Sequence, residues 1–355
     1  MEIKINNSLI GINHRTYFIA DIAANHNGDI EKAKELIHMC AESGANAAKF
    51  QHFKAETIVS NKGFEKLDIT SHQSKWKKSV FEVYKSASIS IDWCFPLIEE
   101  CQKHNIDFFT SPYDLQYVDD LAPLVPAFKI GSGDITWHDI IEKIAKKNKP
   151  VLLATGASSL EEVKEAIRLI RKHTQSIVLM QCNTNYTGND NENIKNLNLN
   201  VLNTYRKLFP DIILGLSDHT LSNLSVMASI AMGARVIEKH FTDDNDQEGP
   251  DHKFSLNPVN WKKMVDDARK LEIALGDGIK KIEKNEIETS VVQRRSICAN
   301  KTLKAGSILR SDDLIYLRPC PNQSFKPYEK NLIIGKKLLL NKDANDPILS
   351  SDIDF

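Results

Sequence analysis

The chain has 355 residues, and its 46 Lys and Arg stand against 47 Asp and Glu for a formal net charge of -1. This balance argues against a nucleic-acid-coating protein or a polybasic membrane-surface protein, while leaving room for a small cationic pocket. The length accommodates two or three domains, or one large barrel with a small domain. Cys40, Cys94, Cys101, Cys182, Cys298 and Cys320 are scattered without a CxxC pair. Neither a zinc knuckle nor a disulfide framework is expected, and reduced thiols in the cytoplasm are. No segment has the apolar core of a signal peptide or the length to span a bilayer. Asn185-Tyr186-Thr187 is formally a glycosylation sequon, which means little without a secretion signal.

Taken in chain order, short apolar runs predict strands at Phe18–Ala23, Ala47–Phe53, Asp107–Pro112, Ala127–Gly133, Val151–Gly156, Ile177–Asn183, Ile212–His219 and Arg235–Thr242. Between them, stretches such as Ile30–Ser43, Leu160–Lys172 and Leu224–Met232 repeat apolar residues at spacings of three and four, as amphipathic helices do. Eight strand-then-helix units in succession predict an α/β fold, a (β/α)8 TIM barrel. A doubly wound open sheet usually has fewer strands, and no GxGxxG follows the first run. Segment Asn61–Ile91 breaks the alternation, being polar with Trp76, Phe81 and Tyr84 interspersed. It reads as a long loop with a helix after the second strand, in the position of a substrate lid.

After Gly276 the pattern changes. The predicted organisation is a barrel over 1–276, a charged linker over 277–293, and a small β-rich domain over 294–355.

In such barrels the active site lies at the C-terminal ends of the strands. Side chains alternate along a strand, so Ser217 shares a face with His219, and Glu238 with His240. The two strands are neighbours, so two imidazoles can meet at the barrel mouth and hold one divalent metal. Two His with waters and substrate oxygens suit Mn²⁺, Zn²⁺ or Co²⁺ better than Ca²⁺. Either His alone reads better as a hydrogen-bonded core residue than as a ligand; the pair on adjacent strands favours the metal. Lys49 and Gln51 share one face of the second strand, and Lys129 and Ser132 belong to the fourth. Lysines on inner barrel strands need a partner. That partner is either an anionic, phosphate-bearing ligand or a barrel carboxylate, with Glu238 as the candidate. Thr110, Ser111 and the turn Gly131-Ser132-Gly133 can add donors for a phosphate.

These residues carry a resemblance. Ala24-Asn25-His26-Asn27-Gly28, Lys49-Phe50-Gln51, Lys129-Ile130-Gly131-Ser132-Gly133, Ala154-Thr155-Gly156, Ser217-Asp218-His219-Thr220, Glu238-Lys239-His240-Phe241 and Gly249-Pro250-Asp251-His252 stand in order, near strand ends. Over nearly its full length the chain resembles the sialic acid synthase family, a barrel followed by an antifreeze-like (SAF) domain. The resemblance implies condensation of phosphoenolpyruvate with an N-acylated hexosamine, such as N-acetylmannosamine, to a nonulosonic acid and phosphate. N-acetylneuraminate, legionaminate and pseudaminate are the candidate products. It implies a cofactor, Mn²⁺ or Mg²⁺, on His219 and His240. It further implies phosphoenolpyruvate on Lys49, Gln51, Thr110, Lys129, Ser132 and Ser217. Asp21, Tyr186 and Asp251 would border the sugar or the phosphate. Arg318, in Leu-Arg-Pro, would reach the sugar's N-acyl group in the partner's barrel of a domain-swapped homodimer. Three positions depart from the family pattern. Asp21 stands where Glu is usual, Ala154 where Ser is common, and Pro319-Cys320-Pro321-Asn322 where the family is Gly-rich.

The expected catalytic residues are Glu238, His219 and His240. The metal would polarise the aldehyde, and Glu238 would orient or deprotonate the water that adds to C2 of the enol phosphate, or steady the cation developing there. Competing readings are a Schiff-base aldolase, a phosphoenolpyruvate-dependent aldose-phosphate synthase, and a binding protein with an inactive barrel.

Overall fold

The computed structural model describes residues 1–67, 76, 78–186 and 190–355. The chain opens with a hairpin outside the eight runs picked out above. Strands β1 (Glu2–Ile5) and β2 (Ser8–Gly11) pair antiparallel with Ile5 opposite Ser8. The turn between them places Asn6 at φ 45°, a left-handed conformation that Asn tolerates better than most residues. Ile3, Ile5 and Ile10 are buried in one cluster with Tyr17, Ala47, Phe109, Val178 and Val236, near the first residues of the barrel strands. The hairpin therefore plugs the N-terminal end of the barrel.

The barrel strands are β3 (Tyr17–Asp21), β4 (Ala47–His52), β5 (Asp107–Pro112), β6 (Phe128–Ile130), β7 (Val151–Ala154), β8 (Ile177–Cys182), β9 (Ile213–Asp218) and β10 (Val236–His240). They form one sheet in the order β5-β4-β3-β10-β9-β8-β7-β6, with every printed pairing parallel. Its end strands β5 and β6 pack against each other, so the sheet curls into a nearly closed barrel. All five residues of β3 and of β10 are buried, as expected where helices cover the outside and side chains fill the inside.

Several strands stop earlier than their apolar runs. β6 ends at Ile130 because a 3-10 turn, Ser132–Asp134, follows. A Cβ on Gly131 would lie 2.8 Å from the Tyr113 hydroxyl, so the chain can pass there only without a side chain.

Several of the covering helices begin where the sequence supplies a cap. Asp29 accepts from the backbone N–H groups of Glu31 and Lys32 at the start of Ile30–Glu42. Ser159 and Glu162 form a reciprocal box at the start of Leu160–Arg171. Each helix turns its apolar stripe inward, as with Val163, Ala166, Ile167 and Ile170. The outer layer of the core lies between this ring and the sheet. Trp261, on Pro258–Leu275, is fully buried with its ring 5.7 Å from Phe241, edge to face. Truncating it to Ala would cost about 3–5 kcal/mol by the usual scale for buried aromatics.

Within segment 61–91 the described residues include helices Asn61–Phe64 and Val80–Ala87, the second capped by Ser79 and Glu82. Tyr84 packs on Phe53 at 5.2 Å between ring centroids. Residues 68–75 and 77 of the expected lid, and Thr187 of the sequon, lie outside the described residues.

The chain divides into two compact units, Met1–Gly276 and Asp277–Phe355. The charged stretch 277–293 carries a short helix, Ile287–Val292, and Cys320 N–H donates to Val291 O at 2.9 Å. The second unit pairs β11 (Ser296–Ala299) with β12 (Leu314–Leu317), and β13 (Lys337–Leu338) with β14 (Ile353–Asp354). Ile297, Leu309, Phe325, Ile333, Leu338 and Ile348 form its own core. Among the described residues no helix is long and apolar enough to cross a membrane.

Candidate active site

At the C-terminal mouth of the barrel, strand alternation brings five polar side chains together. In register, Ser217 lies beside Glu238, His240 beside Asp21, and Asp21 beside Lys49. Ser217 Oγ donates to Glu238 Oε1 at 3.2 Å, while Glu238 Oε2 is buried with no hydrogen-bond partner among the described residues. Lys129 Nζ lies 3.4 Å and Lys49 Nζ 4.0 Å from Glu238 Oε1. Lys49 is held more tightly by Asp21, at 2.7 Å from Oδ2. Gln51 donates to that same oxygen at 3.3 Å.

Both lysines are almost wholly buried. Burial pulls the Lys49 pKa down, but the attraction of Asp21 and Glu238 outweighs it, so the net shift is upward. The sequence left open whether the lysines answer a ligand or a carboxylate. In the structure each stands beside a carboxylate, Lys49 beside Asp21 and Lys129 beside Glu238.

The rings of His219 and His240 face one another with centroids 5.4 Å apart. His219 Nδ1 donates to the Asn183 carbonyl at 3.1 Å, which leaves Nε2 as its lone-pair nitrogen. Burial lowers the His219 pKa, but Cys182, Asp218 and the Asn183 carbonyl outweigh it, so the net shift is upward. His240 is pushed well down by burial, by His219 and by Lys49, and is therefore neutral. Its Nδ1 is buried without a hydrogen-bond partner among the described residues. Tyr186 stacks edge-on to His219 at 4.6 Å, and Phe254 to His240 at 4.9 Å.

This donor set fits a divalent metal. A ligating imidazole commonly donates its other N–H to a carbonyl, as His219 does. A neutral His240 with an unused nitrogen is ready to ligate. Among the described residues no group of three or more His, Cys, Asp or Glu is arranged to hold a metal. An ion here would complete its shell with water and substrate oxygens, the open arrangement of catalytic sites.

The mouth encloses about 440 Å³ lined by Asp21, Lys49, Gln51, Lys129, Ser132, Tyr186, Ser217, His219, Glu238, His240 and Asp251, all expected site residues. Ser132 Oγ accepts from Gly156 N–H at 2.9 Å. Asp251 accepts from Ala24 N–H at 3.2 Å, and burial pushes its pKa up to about 6.

Thr110 is a correction. Its neighbour Ser111 is in register with Gln51, so Thr110 points to the opposite, outer face of β5. There it bonds His52 Nδ1 at 2.7 Å and the Phe50 carbonyl at 3.2 Å. Ser111 shares the inner face, with its hydroxyl buried and unpartnered among the described residues.

Arg318 belongs to the second unit, exposed just past β12. Asp313, a nearby carboxylate that could balance it, instead pairs with Lys301 at 2.8 Å.

The structure adds residues that the motifs did not single out. Tyr84, Tyr113, Asp134 and Thr184 line the cavity. Burial raises Asp134 to about 6 against the pull of Lys129. Asp134 stands one residue beyond the Gly131-Ser132-Gly133 turn, so extending that motif by one position would have found it.

The NeuB family model matches residues 36–280 and the SAF domain model residues 294–354. The N,N'-diacetyllegionaminic acid synthase of Campylobacter jejuni is 38% identical over 90% of this chain and 95% of its own length. The human N-acetylneuraminate-9-phosphate synthase is 31% identical over 97% of this chain and 94% of its own. The crystal structure of the N-acetylneuraminic acid synthetase of Leptospira borgpetersenii, in complex with citrate, superposes with a TM-score of 0.71. It is 29% identical and covers 81% of this chain and 95% of that one.

Proposed function

The chain belongs to the NeuB family, with a C-terminal SAF domain, and from that premise we propose that it condenses phosphoenolpyruvate with an N-acylated hexosamine. The products are a nonulosonic acid and inorganic phosphate. The observation that carries the reading is the Glu238 carboxylate. One oxygen is held by Ser217 beside the two buried lysines, and the other is buried without a hydrogen-bond partner among the described residues, on a side chain that lines the cavity.

Lys49 and Lys129 exchange part of their attraction to Asp21 and Glu238 for the phosphate and carboxylate of the enol phosphate. Ser132 and Ser217 add hydroxyl donors, and Gln51 adds an amide. With the sugar's aldehyde carbon held against C3 of phosphoenolpyruvate, the enol π pair forms the C–C bond, the aldehyde C=O π bond breaks with its oxygen taking a proton to become a hydroxyl, and positive charge develops at C2. A water adds to C2, and Glu238 Oε2 accepts its proton. The resulting hemiketal phosphate collapses, breaking the C2–O bond and releasing phosphate with the bridging oxygen. His219 and His240 would hold a divalent ion, Mn²⁺ or Mg²⁺, which when bound supplies Lewis-acid polarisation of the aldehyde oxygen.

The acceptor is an unphosphorylated, N-acetylated sugar in this reading. Lys49 and Lys129 are the Lys and Arg side chains lining the cavity among the described residues, and both are matched by carboxylates. Among the described residues lining this cavity, no further Lys or Arg stands ready for a second phosphate. The higher identity to the diacetyllegionaminic acid synthase than to the 9-phosphate synthase favours the same choice and points to a diacetylated acceptor. Assaying N-acetylmannosamine, its 6-phosphate, mannose and the diacetylated legionaminate and pseudaminate precursors with phosphoenolpyruvate tests it. Preference for the 6-phosphate would overturn it.

The working unit in this proposal is a two-fold homodimer in which Arg318 of one chain completes the partner's barrel. Two-fold symmetry satisfies both sites at once. Arg318 is exposed, and of the two carboxylates that could balance it, Asp312 and Asp313, the second pairs with Lys301. Six free cysteines suit a reducing cytoplasm.

A further inference from the structure

Behind the two histidines, on the outer face of β9 and β10, lies a buried ion pair that the reaction does not touch. Lys239 Nζ is 2.7 Å from Asp218 Oδ2, and the two side chains are 1% and 0% exposed. Lys239 stands between Glu238 and His240, and Asp218 between Ser217 and His219. Lys239 Nζ also donates to the Thr220 carbonyl at 2.5 Å. Asp218 in turn accepts from Thr220 N–H at 3.0 Å and from Ser225 Oγ at 2.5 Å. The ammonium of one strand thus grips the residues on either side of His219 on the other. From the far side, Asn193 Nδ2 donates to the His219 carbonyl at 3.2 Å.

A buried ion pair is weak evidence for stability, because desolvation offsets much of its attraction. Its directional bonds do fix geometry. β9 ends at Asp218, so no ladder bond to β10 holds the His219 backbone. The backbone ladder sets the register as far as Lys239 opposite Asp218; beyond it, side-chain bonds hold the segment that carries His219.

We propose that Lys239 and Asp218 are positioning residues, which lock the end of β9 to β10 so that His219 and His240 present their nitrogens to one metal ion. This rests on the metal reading given above. The pair touches neither substrate nor metal, and acts only through the histidines beside it.

The test is Mn²⁺ affinity of the folded protein, measured by calorimetry with Mn²⁺ alone. Asp218→Asn keeps the shape and removes the charge; Lys239→Met removes the clamp; the double variant leaves no unpaired buried charge and folds even if one single variant does not. Circular dichroism establishes that each measured variant is folded. Loss of an outer-shell partner typically weakens metal binding about ten- to a hundredfold, and that is expected for Asp218→Asn and for the double variant. A merely structural pair would lower the melting temperature and leave the affinity of the folded protein unchanged. Folded variants that bind Mn²⁺ within about threefold of the unsubstituted protein, while His240→Ala abolishes binding, overturn the positioning role alone. If the unsubstituted protein binds no Mn²⁺, the metal reading falls, and this inference with it.

Discussion

Ser217 Oγ and Glu238 Oε1 are joined by a 3.2 Å hydrogen bond across neighbouring strands, and that bond divides the carboxylate into a held oxygen and a free one. A base anchored in this way costs little reorganisation when a proton arrives. Glu238→Gln is therefore expected to lower kcat by about a hundredfold or more, the usual scale for a positioned acid or base, while changing KM for phosphoenolpyruvate much less. Steady-state kinetics checks it. A variant with normal kcat would show that Glu238 only balances the lysines.

The lysines make a different prediction. Lys49→Met and Lys129→Met should each raise KM for phosphoenolpyruvate about ten- to a hundredfold, the worth of one charge-assisted hydrogen bond. Initial-rate assays at saturating sugar measure it. An unchanged KM would mean that Asp21 or Glu238 keeps the lysine for itself even with substrate bound.

Gly156 allows a test that owes nothing to charge. A Cβ there would come within 1.9 Å of Thr184 Oγ1 and 3.0 Å of Ser132 Oγ, both of which line the cavity. Gly156→Ala should displace Ser132 and raise KM for phosphoenolpyruvate. It should also lower stability by about 1–3 kcal/mol, as overpacking does. Urea unfolding together with kinetics reads both effects, and a variant unchanged in both would contradict the packing described.

His52 supplies a pH dependence. Burial holds its pKa down to about 4, with its ring between Thr110 and Cys94. The unfolded histidine titrates near 6.5. Between those values the unfolded state binds a proton that the native state refuses, so this contribution is present above about pH 6.5 and is lost as pH falls toward 4. His52→Gln cannot take up that proton. The variant should be less stable than the unsubstituted protein at pH 7, and the gap should narrow by pH 4.5 in denaturant melts. A gap independent of pH would refute the assignment.

The eight barrel strands were legible because each is an apolar run buried on both faces, and the alternation rule placed Ser217, His219, Glu238 and His240 together. Strand ends were not, since Gly131 turns the chain after Ile130 for the sake of Tyr113, a contact from another element. The same blindness put Thr110 in the site. Which face of β5 looks inward depends on its register with β4, and residue type alone does not reveal that. The plug made by Ile3, Ile5 and Ile10 was missed because four-residue strands carry little periodicity. The pairing of Lys49 with Asp21 was hidden because it joins two strands nearly thirty residues apart.

The dimer proposal is tested by complementation. His240→Ala and Arg318→Ala variants, each impaired alone, should regain activity when mixed and allowed to exchange subunits, since one of the two mixed sites receives both intact parts. Restoration that fails while exchange is verified by native mass spectrometry would place Arg318 in service of its own barrel, or of none.

The central claim is tested most directly by following phosphoenolpyruvate labelled with oxygen-18 in its C2–O–P bridge, in the presence of Mn²⁺ and the diacetylated legionaminate precursor. The account predicts phosphate release that requires the sugar, equals the nonulosonic acid formed mole for mole, and carries the label away in the phosphate. Phosphate released without sugar, label retained in the keto acid, or no turnover with any N-acylated hexosamine would contradict it.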